Sequence, residues 1–253
     1  MRGMAGNCLF KVNSANPTLL TGEKKEIFVH VVMQLLYLSQ RGRPDIRTAI
    51  SFLCGRLHHA NMDDYKKVAR VIKYLHGMID MLLHLQGDGL GVIKWYVNAS
   101  YAVHPDMKGH TRGTLLLGKG SVYSTSTKKK LVTHSSMESK VIGVHDVLPQ
   151  TIGTMNFLKG QSVQVNKSVL FQDNMSSILL EKNGWGSSLK WTQHMNIRFF
   201  FIKDQVDSKE IRIEYCPTGD MIADSSFDWL LYRHCQYFVV TTDSIPRHDA
   251  FLA

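Results

Sequence analysis

The sequence lacks the features of membrane-spanning, secreted and zinc-binding proteins. No apolar run reaches the roughly 20 residues that a membrane-spanning helix needs, and the first 17 residues contain no continuous apolar segment typical of a secretory signal. The four cysteines lie far apart and none forms a Cys-x-x-Cys pair, which argues against a zinc site or a disulfide framework. We therefore expect an intracellular protein, cytoplasmic or nuclear, with reduced thiols and no membrane contact.

Positive charge is what the sequence has in excess. Its 253 residues include 30 Lys and Arg against 21 Asp and Glu, which gives a formal net charge of +9, and 44% of its residues are hydrophobic, enough to bury a core. Nucleic acid is the commonest anionic partner of a basic protein. The charge favours that partner without establishing it, because many basic proteins bind nothing acidic.

The first third of the chain is predicted to be helical. Apolar residues repeat every three to four positions over residues 27–36 and again over 46–57. Asn61 suits the N-cap of a third helix. Asp63 and Asp64 then lie in its first turn, where the helix dipole favours negative charge, and this interpretation is preferred to a metal site.

After a glycine-rich joint at residues 87–91, strand and helix patterns alternate. We predict strands at about 92–97, 114–117, 121–124, 168–172 and 210–215, and helices at about 136–148, 174–182 and 191–207. The tripeptide Gly118-Lys119-Gly120 predicts a hairpin between the second and third strands. A hairpin-rich start followed by strand–helix alternation predicts an α/β fold, with a mixed sheet covered by helices.

Five ordered fragments resemble one known family. They are Val97-Asn98-Ala99-Ser100, residues 135–140, Gln172-Asp173-Asn174, residues 190–194 and Ile222-Ala223-Asp224. Their order and spacing resemble the ribonuclease H domain of copia-type retrotransposon polyproteins. Residues 36–41, 44–46 and 71–77 also resemble the segment that joins the reverse transcriptase to that domain. The resemblance covers about residues 25–224.

The resemblance implies a ribonuclease H-like fold, a mixed five-stranded sheet with flanking helices, preceded by a small helical segment. It places the helical segment at residues 20–85 and the ribonuclease H-like domain at 92–232, with 233–253 as an unassigned tail. It also implies endonucleolytic cleavage of the RNA strand of an RNA–DNA hybrid. Two divalent cations, Mg²⁺ or Mn²⁺, held by four carboxylates would support that reaction, and no small-molecule cofactor is implied.

Two of the four carboxylate positions differ in this chain. The resemblance assigns the catalytic positions to Asn98, Lys140, Asp173 and Asp224, of which Asp173 and Asp224 keep a metal-binding carboxylate. In isolation these two aspartates also fit helix caps, and the ordered set favours the active site. A Lys140 ammonium about 4 Å from a divalent cation costs roughly 8 kcal/mol at an effective dielectric of about 20. Glu138 is a poor replacement, because residues two apart on a helix point about 200° apart.

Basic side chains indicate where nucleic acid would bind. The candidates are Arg112, Lys128, Lys129, Lys130, His194 and Arg198. The three lysines lie among Ser and Thr residues and suit phosphate contacts, although a solvated hairpin end fits the same pattern. His194 and Arg198 are four residues apart on one helix edge, and both a substrate-side role and a solvated surface stay open for them.

Three functions are compatible with these residues. The first is a retroelement polyprotein fragment whose family reaction, hybrid-specific RNA cleavage, is impaired in this copy. The second is a non-enzymatic nucleic-acid-binding pseudoenzyme, and the third is a relic without function. Whether the chain is an enzyme therefore stays open at this point.

Overall fold

A computed structural model describes residues 9–12, 18–80, 82–87, 89, 91–183 and 193–223, with the backbone alone for residues 183 and 193–196. Some parts of the sequence prediction lie outside these ranges. They include Asp224, the fourth carboxylate position, the rest of the predicted domain up to residue 232, and the tail over residues 233–253.

The described residues form six α-helices and seven β-strands. In chain order they are α1 Gly22–Arg41, α2 Arg47–Cys54, α3 Met62–Gly77, β1 Gln86–Gly87, β2 Val92–Ser100, β3 His110–Leu116, β4 Gly118–Lys119, β5 Tyr123–Lys128, α4 Ser136–Gly160, β6 Lys167–Gln172, α5 Met175–Asn183, α6 Gln193–Asp207 and β7 Arg212–Tyr215. Within these ranges, no helix has both the length and the apolarity required to cross a bilayer.

The helical segment packs around its own apolar core. Helix α1 buries Phe28, Val32 and Leu35 in a cluster that continues through α2 and α3. A reciprocal cap begins α3, because Asn61 Oδ1 accepts from the Asp64 N–H at 3.0 Å and Asp64 Oδ2 accepts from the Asn61 N–H at 3.1 Å. Capping therefore explains the acidic residues at the start of α3.

The main sheet has five strands in the order β5-β3-β2-β6-β7. Strands β5, β3 and β2 are antiparallel, whereas β6 and β7 run parallel to β2. Strands β3 and β5 form the hairpin predicted around Gly118-Lys119-Gly120. The expected α/β class is confirmed: the chain forms a five-stranded mixed sheet with flanking helices, and a small helical segment precedes it in the sequence.

Helix α4 is longer than the sequence pattern predicted. The prediction ended this helix at residue 148, before Pro149, but the helix continues to Gly160. Thr151 and Met155 lie beyond the proline and are buried, so packing offsets the hydrogen bond that Pro149 removes. Near its start α4 lies against β2 so closely that a Cβ on Gly143 would be 2.8 Å from Ala99 Cβ. This close approach brings the first turns of α4 to the carboxyl end of β2.

Polar contacts join the helical segment to the sheet at the edge strand β5. The Ser51 hydroxyl on α2 donates to the Ser126 carbonyl oxygen at 2.6 Å, and the Ser126 hydroxyl donates to Thr48 Oγ1 at 3.3 Å. Helix α2 therefore covers part of an edge that would otherwise be open to pairing with another strand.

Two buried histidines extend this contact. His104 Nε2 and His110 Nδ1 are hydrogen-bonded at 3.0 Å, and His110 Nε2 is hydrogen-bonded to Ser126 Oγ at 2.6 Å. The Phe10 and Phe52 rings pack on His104, with centroids 4.8 and 6.1 Å away. Burial and the charge of Lys128 lower the pKa of His104 to about 4, and burial lowers the pKa of His110 well below its ordinary value. Both rings are therefore neutral near pH 7.

This pair predicts a protein that loses stability in mild acid. A histidine with a lowered pKa in the folded state stabilises the fold above its unfolded pKa of about 6.5, and this stabilisation is lost as the pH falls toward the folded pKa. We expect the free energy of unfolding to fall by about 2 kcal/mol between pH 7 and pH 4.5 through His104, with a further loss through His110. Urea unfolding followed by circular dichroism at both pH values measures the change.

The control separates this pair from the other ionisable groups. For each protein, the free energy of unfolding at pH 4.5 is compared with its own value at pH 7. The double variant His104→Gln with His110→Gln should lose much less stability in acid than the native chain. His76→Gln, at an exposed position on α3, should leave the loss unchanged. An equal loss in all three proteins would assign the acid sensitivity to other groups.

Candidate functional site

Three of the four predicted catalytic positions meet at one edge of the sheet. Asn98 lies near the carboxyl end of β2, Asp173 follows β6 directly, and Lys140 lies in the second turn of α4. Because β2 and β6 are adjacent and parallel, their carboxyl ends lie at the same edge. The packing of α4 on β2 then places Lys140 between the two strand ends.

Lys140 forms the centre of this cluster. Its Nζ donates to Asn98 Oδ1 at 2.6 Å and to Asp173 Oδ1 at 2.5 Å. The Lys140 and Asp173 side chains are only 10% and 12% exposed, and Asn98 is buried. Such a pair is held away from solvent, where charge-assisted hydrogen bonds are strong. The ammonium group therefore acts as the counter-ion of the Asp173 carboxylate.

Glu138 does not complete an acidic site. Its Oε2 accepts from the His134 N–H at 2.6 Å, while its own N–H donates to Ser135 Oγ at 3.1 Å. These two bonds form a cap at the start of α4. Glu138 therefore caps the helix, which agrees with the prediction that it does not replace the carboxylate missing at Lys140.

The burial of Lys129 changes one of the sequence predictions. This lysine was predicted either to contact phosphate or to lie on a solvated hairpin end, but it is only 4% exposed and its Nζ donates to the Ser139 carbonyl oxygen. The pKa of Lys129 is lowered to about 8, mainly by burial and also by the nearby charges of Arg198 and Lys140, against the opposing charge of Asp146. We therefore withdraw the prediction of a phosphate contact for Lys129, since its ammonium group faces the protein.

The other predicted phosphate-binding residues differ in exposure. Arg112 is also buried, at the position on β3 that pairs with Asn98, so the prediction of a surface contact is withdrawn for it as well. Lys128 and Lys130 are exposed, and Lys128 Nζ lies 2.8 Å from Asp106 Oδ2. For these two lysines, phosphate contact stays a prediction.

Two predicted site residues lie wholly or partly outside the described ranges. Asp224 is one, and His194 is the other, since only its backbone, in the first turn of α6, is described. Arg198 is partly exposed on α6, near enough to Lys129 to affect the pKa of that lysine. Its role in binding nucleic acid stays a prediction.

The described residues of this site do not fit a pair of divalent cations. The four positions carry one cation, one neutral amide and two carboxylates, a net charge of −1 where four carboxylates would give −4. The single described carboxylate, Asp173, is already paired with Lys140. Across the described ranges, no group of three or more His, Cys, Asp or Glu side chains is placed to hold a metal ion. Oxygen-rich, negatively charged ligand sets are what Mg²⁺ and Mn²⁺ need.

Sequence comparison relates the chain to retroelement polyproteins, although no family model matches it. The retrovirus-related Pol polyprotein from transposon TNT 1-94 of Nicotiana tabacum is 25% identical over 194 residues, which cover 76% of this chain. The corresponding protein from transposon RE2 of Arabidopsis thaliana is 27% identical over 198 residues, 77% of the chain. The chain is homologous to copia-type Pol polyproteins. It spans only 14% and 13% of the length of these two relatives.

Solved structures with a similar arrangement include two kinds of protein. The foamy viral protease-reverse transcriptase in complex with double-stranded DNA gives a TM-score of 0.48 at 13% identity, over 79% of this chain and 42% of that one. LC11-RNase H1, isolated from compost, gives a TM-score of 0.41 at 10% identity, over 56% of this chain and 99% of that one.

Two features outside the Lys140 cluster were not predicted from the sequence. The buried pair His104 and His110 is brought together by a turn and by packing from the helical segment, for which the sequence carries no periodic signal. A basic cavity beside α3 involves Lys66 and Arg70, which are four residues apart on exposed positions of the helix. That spacing places both cations on one helix face and was a usable signal.

Proposed function

We propose that this chain is a ribonuclease H-like, nucleic-acid-binding part of a retroelement polyprotein that does not cleave RNA. The observation that supports the loss of cleavage is the Lys140 ammonium between Asn98 Oδ1 and Asp173 Oδ1. The homology to Pol polyproteins supports the retroelement origin.

The loss of cleavage follows from charge. A divalent cation placed near Asp173 would meet the Lys140 ammonium, and the repulsion amounts to several kcal/mol even at an effective dielectric of about 20. Displacing Lys140 does not remove the obstacle, because its partners offer one carboxylate and one neutral amide oxygen. The chain therefore keeps the position of the family's site without its chemistry.

The binding of nucleic acid rests on charge that is independent of this site. The formal net charge is +9, and Lys128 and Lys130 are exposed at the end of β5 and just after it. Cations of this kind contact a phosphate backbone without reading its sequence, and their binding weakens as salt rises. An RNA–DNA hybrid is the substrate class of the family and the first ligand to test.

The test uses the purified chain and a fluorescently labelled RNA–DNA hybrid. With Mg²⁺ or Mn²⁺ present, gel analysis should show no RNA cleavage. Anisotropy should show hybrid binding, and the logarithm of the association constant should fall linearly with the logarithm of the salt concentration. Replacing Lys128 and Lys130 with Ala should reduce the slope by about one to two, since Lys128 has Asp106 as a partner in the absence of a ligand. Replacing Lys24 and Lys25, two exposed lysines on α1, serves as the control for equal loss of charge.

Two results would contradict the proposal separately. Cleavage by the native chain that disappears in Asp173→Asn would show an active nuclease. The absence of any salt-dependent hybrid binding would remove the binding function and leave the homology and the fold unaffected.

A further inference from the structure

We infer that a cavity between α3 and the loop after β2 binds the phosphate groups of a nucleotide or of a nucleic-acid strand. This junction cavity has a volume of about 670 Å³. Its charged lining is Lys11, Asp63, Lys66, Lys67 and Arg70. It is separate from the Lys140 cluster, since none of the residues of that cluster lines it.

The cavity has an excess of positive charge. Lys67 is neutralised, because its Nζ lies 2.8 Å from Asp63 Oδ2 and donates to the Lys11 carbonyl oxygen at 2.6 Å. Lys66 and Arg70 are exposed and have no ion pair with any residue that the structure describes, and the same holds for the Lys11 side chain. Three cations around one cavity repel one another, and an anionic ligand relieves that repulsion.

The histidine in the cavity wall does not alter this balance. His104 lines the cavity but is neutral near pH 7, because its ring is buried and bonded to His110. The remaining wall is apolar and includes Val103 and Pro105. Cations on one side and apolar surface on the other suit a ligand that combines a phosphate with a sugar or base. The volume lies within the range of about 300–1,000 Å³ that is usual for ligand sites.

The position of Lys66 and Arg70 favours a shared ligand. They are one helical turn apart on α3, so their side chains lie on the same face and can contact neighbouring phosphate oxygens. Arginine binds phosphate in a bidentate manner and lysine binds it as a point charge. Binding of a nucleic-acid strand in this cavity rests on the proposed function, whereas binding of a free nucleotide does not.

The experiment compares one cavity variant with one matched control. Lys66→Ala with Arg70→Ala removes two charges from the cavity, and Lys24→Ala with Lys25→Ala removes two from α1, which does not line it. All four positions are exposed and helical, so alanine is compatible with folding. Lys66→Gln with Arg70→Gln is a second cavity variant that keeps polar side chains. Fluorescence anisotropy is measured with a labelled RNA–DNA hybrid and with labelled adenosine triphosphate.

We expect at least one probe to bind the native chain and to bind the cavity variants about tenfold more weakly or worse, with little change in the control. Loss of hybrid binding alone identifies a strand, and loss of triphosphate binding identifies a free nucleotide. Equal affinities in the cavity variants and the control would overturn this inference while leaving salt-dependent hybrid binding intact. Triphosphate binding without hybrid binding would support the cavity and contradict the proposed function. Failure of both probes to bind the native chain would overturn both.

Discussion

Replacing Asn98 with Asp and Lys140 with Glu is expected to create a divalent-cation site and to give measurable cleavage of an RNA–DNA hybrid. With Asp173 and Asp224, this double variant has carboxylates at all four positions that the family resemblance assigns. Three of the four positions already lie together in the fold, so the substitutions need no rearrangement of the backbone. The change in net charge at these positions, from −1 to −4, is what two dications need nearby.

The same variant should depend on the cation for its stability. Without divalent cations, carboxylates at positions 98, 140 and 173 repel one another in a poorly solvated site, so the melting temperature should fall below that of the native chain. Mg²⁺ at about 100 times its dissociation constant should then restore about 2.7 kcal/mol. Differential scanning fluorimetry with and without Mg²⁺ measures this effect, and the native chain should show no such shift.

The controls for this variant separate metal binding from cleavage. Adding Asp173→Asn to the double variant should abolish both the Mg²⁺-dependent shift and any cleavage. A native chain stabilised by Mg²⁺ to the same extent as the double variant would contradict the role assigned to Lys140. A variant that gains the shift without cleavage would instead locate a second defect outside these positions.

The sequence was informative about this fold wherever local pattern and burial agree. Short apolar and β-rich runs approximately located the five strands of the main sheet, and Asn61 with its acidic partner located the start of α3, because both signals depend on neighbours in the chain. The predicted end of α4 at residue 148 was wrong, because the helix continues through Pro149 and the burial of Thr151 and Met155 beyond it is a tertiary effect. Packing against the sheet decided the outcome there.

In the candidate site, too, some features followed from the sequence and others depended on tertiary packing. The order and spacing of short fragments carried the resemblance that assigned Asn98, Lys140 and Asp173 to one site. In the structure these three side chains are in contact. The burial of Lys129 and Arg112 could not be predicted, because a strand position or a short basic run does not reveal which side chains turn inward. Contacts between the helical segment and the sheet depend on residues far apart in sequence, and one chain alone carries no signal for them.

Replacing Lys140 with Met is expected to lower the free energy of unfolding by about 3 kcal/mol, because breaking a buried ion pair by removing one partner leaves a buried charge unpaired. The variant leaves the Asp173 carboxylate without its cation and Asn98 Oδ1 without this donor. Urea unfolding followed by circular dichroism measures the change. Adding Asp173→Asn to Lys140→Met should recover much of the loss, since the unpaired charge is then removed.

An exposed ion pair of similar length provides the matched control. Lys203 Nζ lies 2.7 Å from Asp207 Oδ2 on α6, but these side chains are 32% and 57% exposed. Water screens that pair, so Lys203→Met should cost about 0.5 kcal/mol or less. If Lys140→Met and Lys203→Met lower the free energy of unfolding equally, burial does not strengthen the Lys140–Asp173 ion pair. A large cost at Lys140 alone would mean that its ammonium group stabilises the two strand ends at which Asn98 and Asp173 lie.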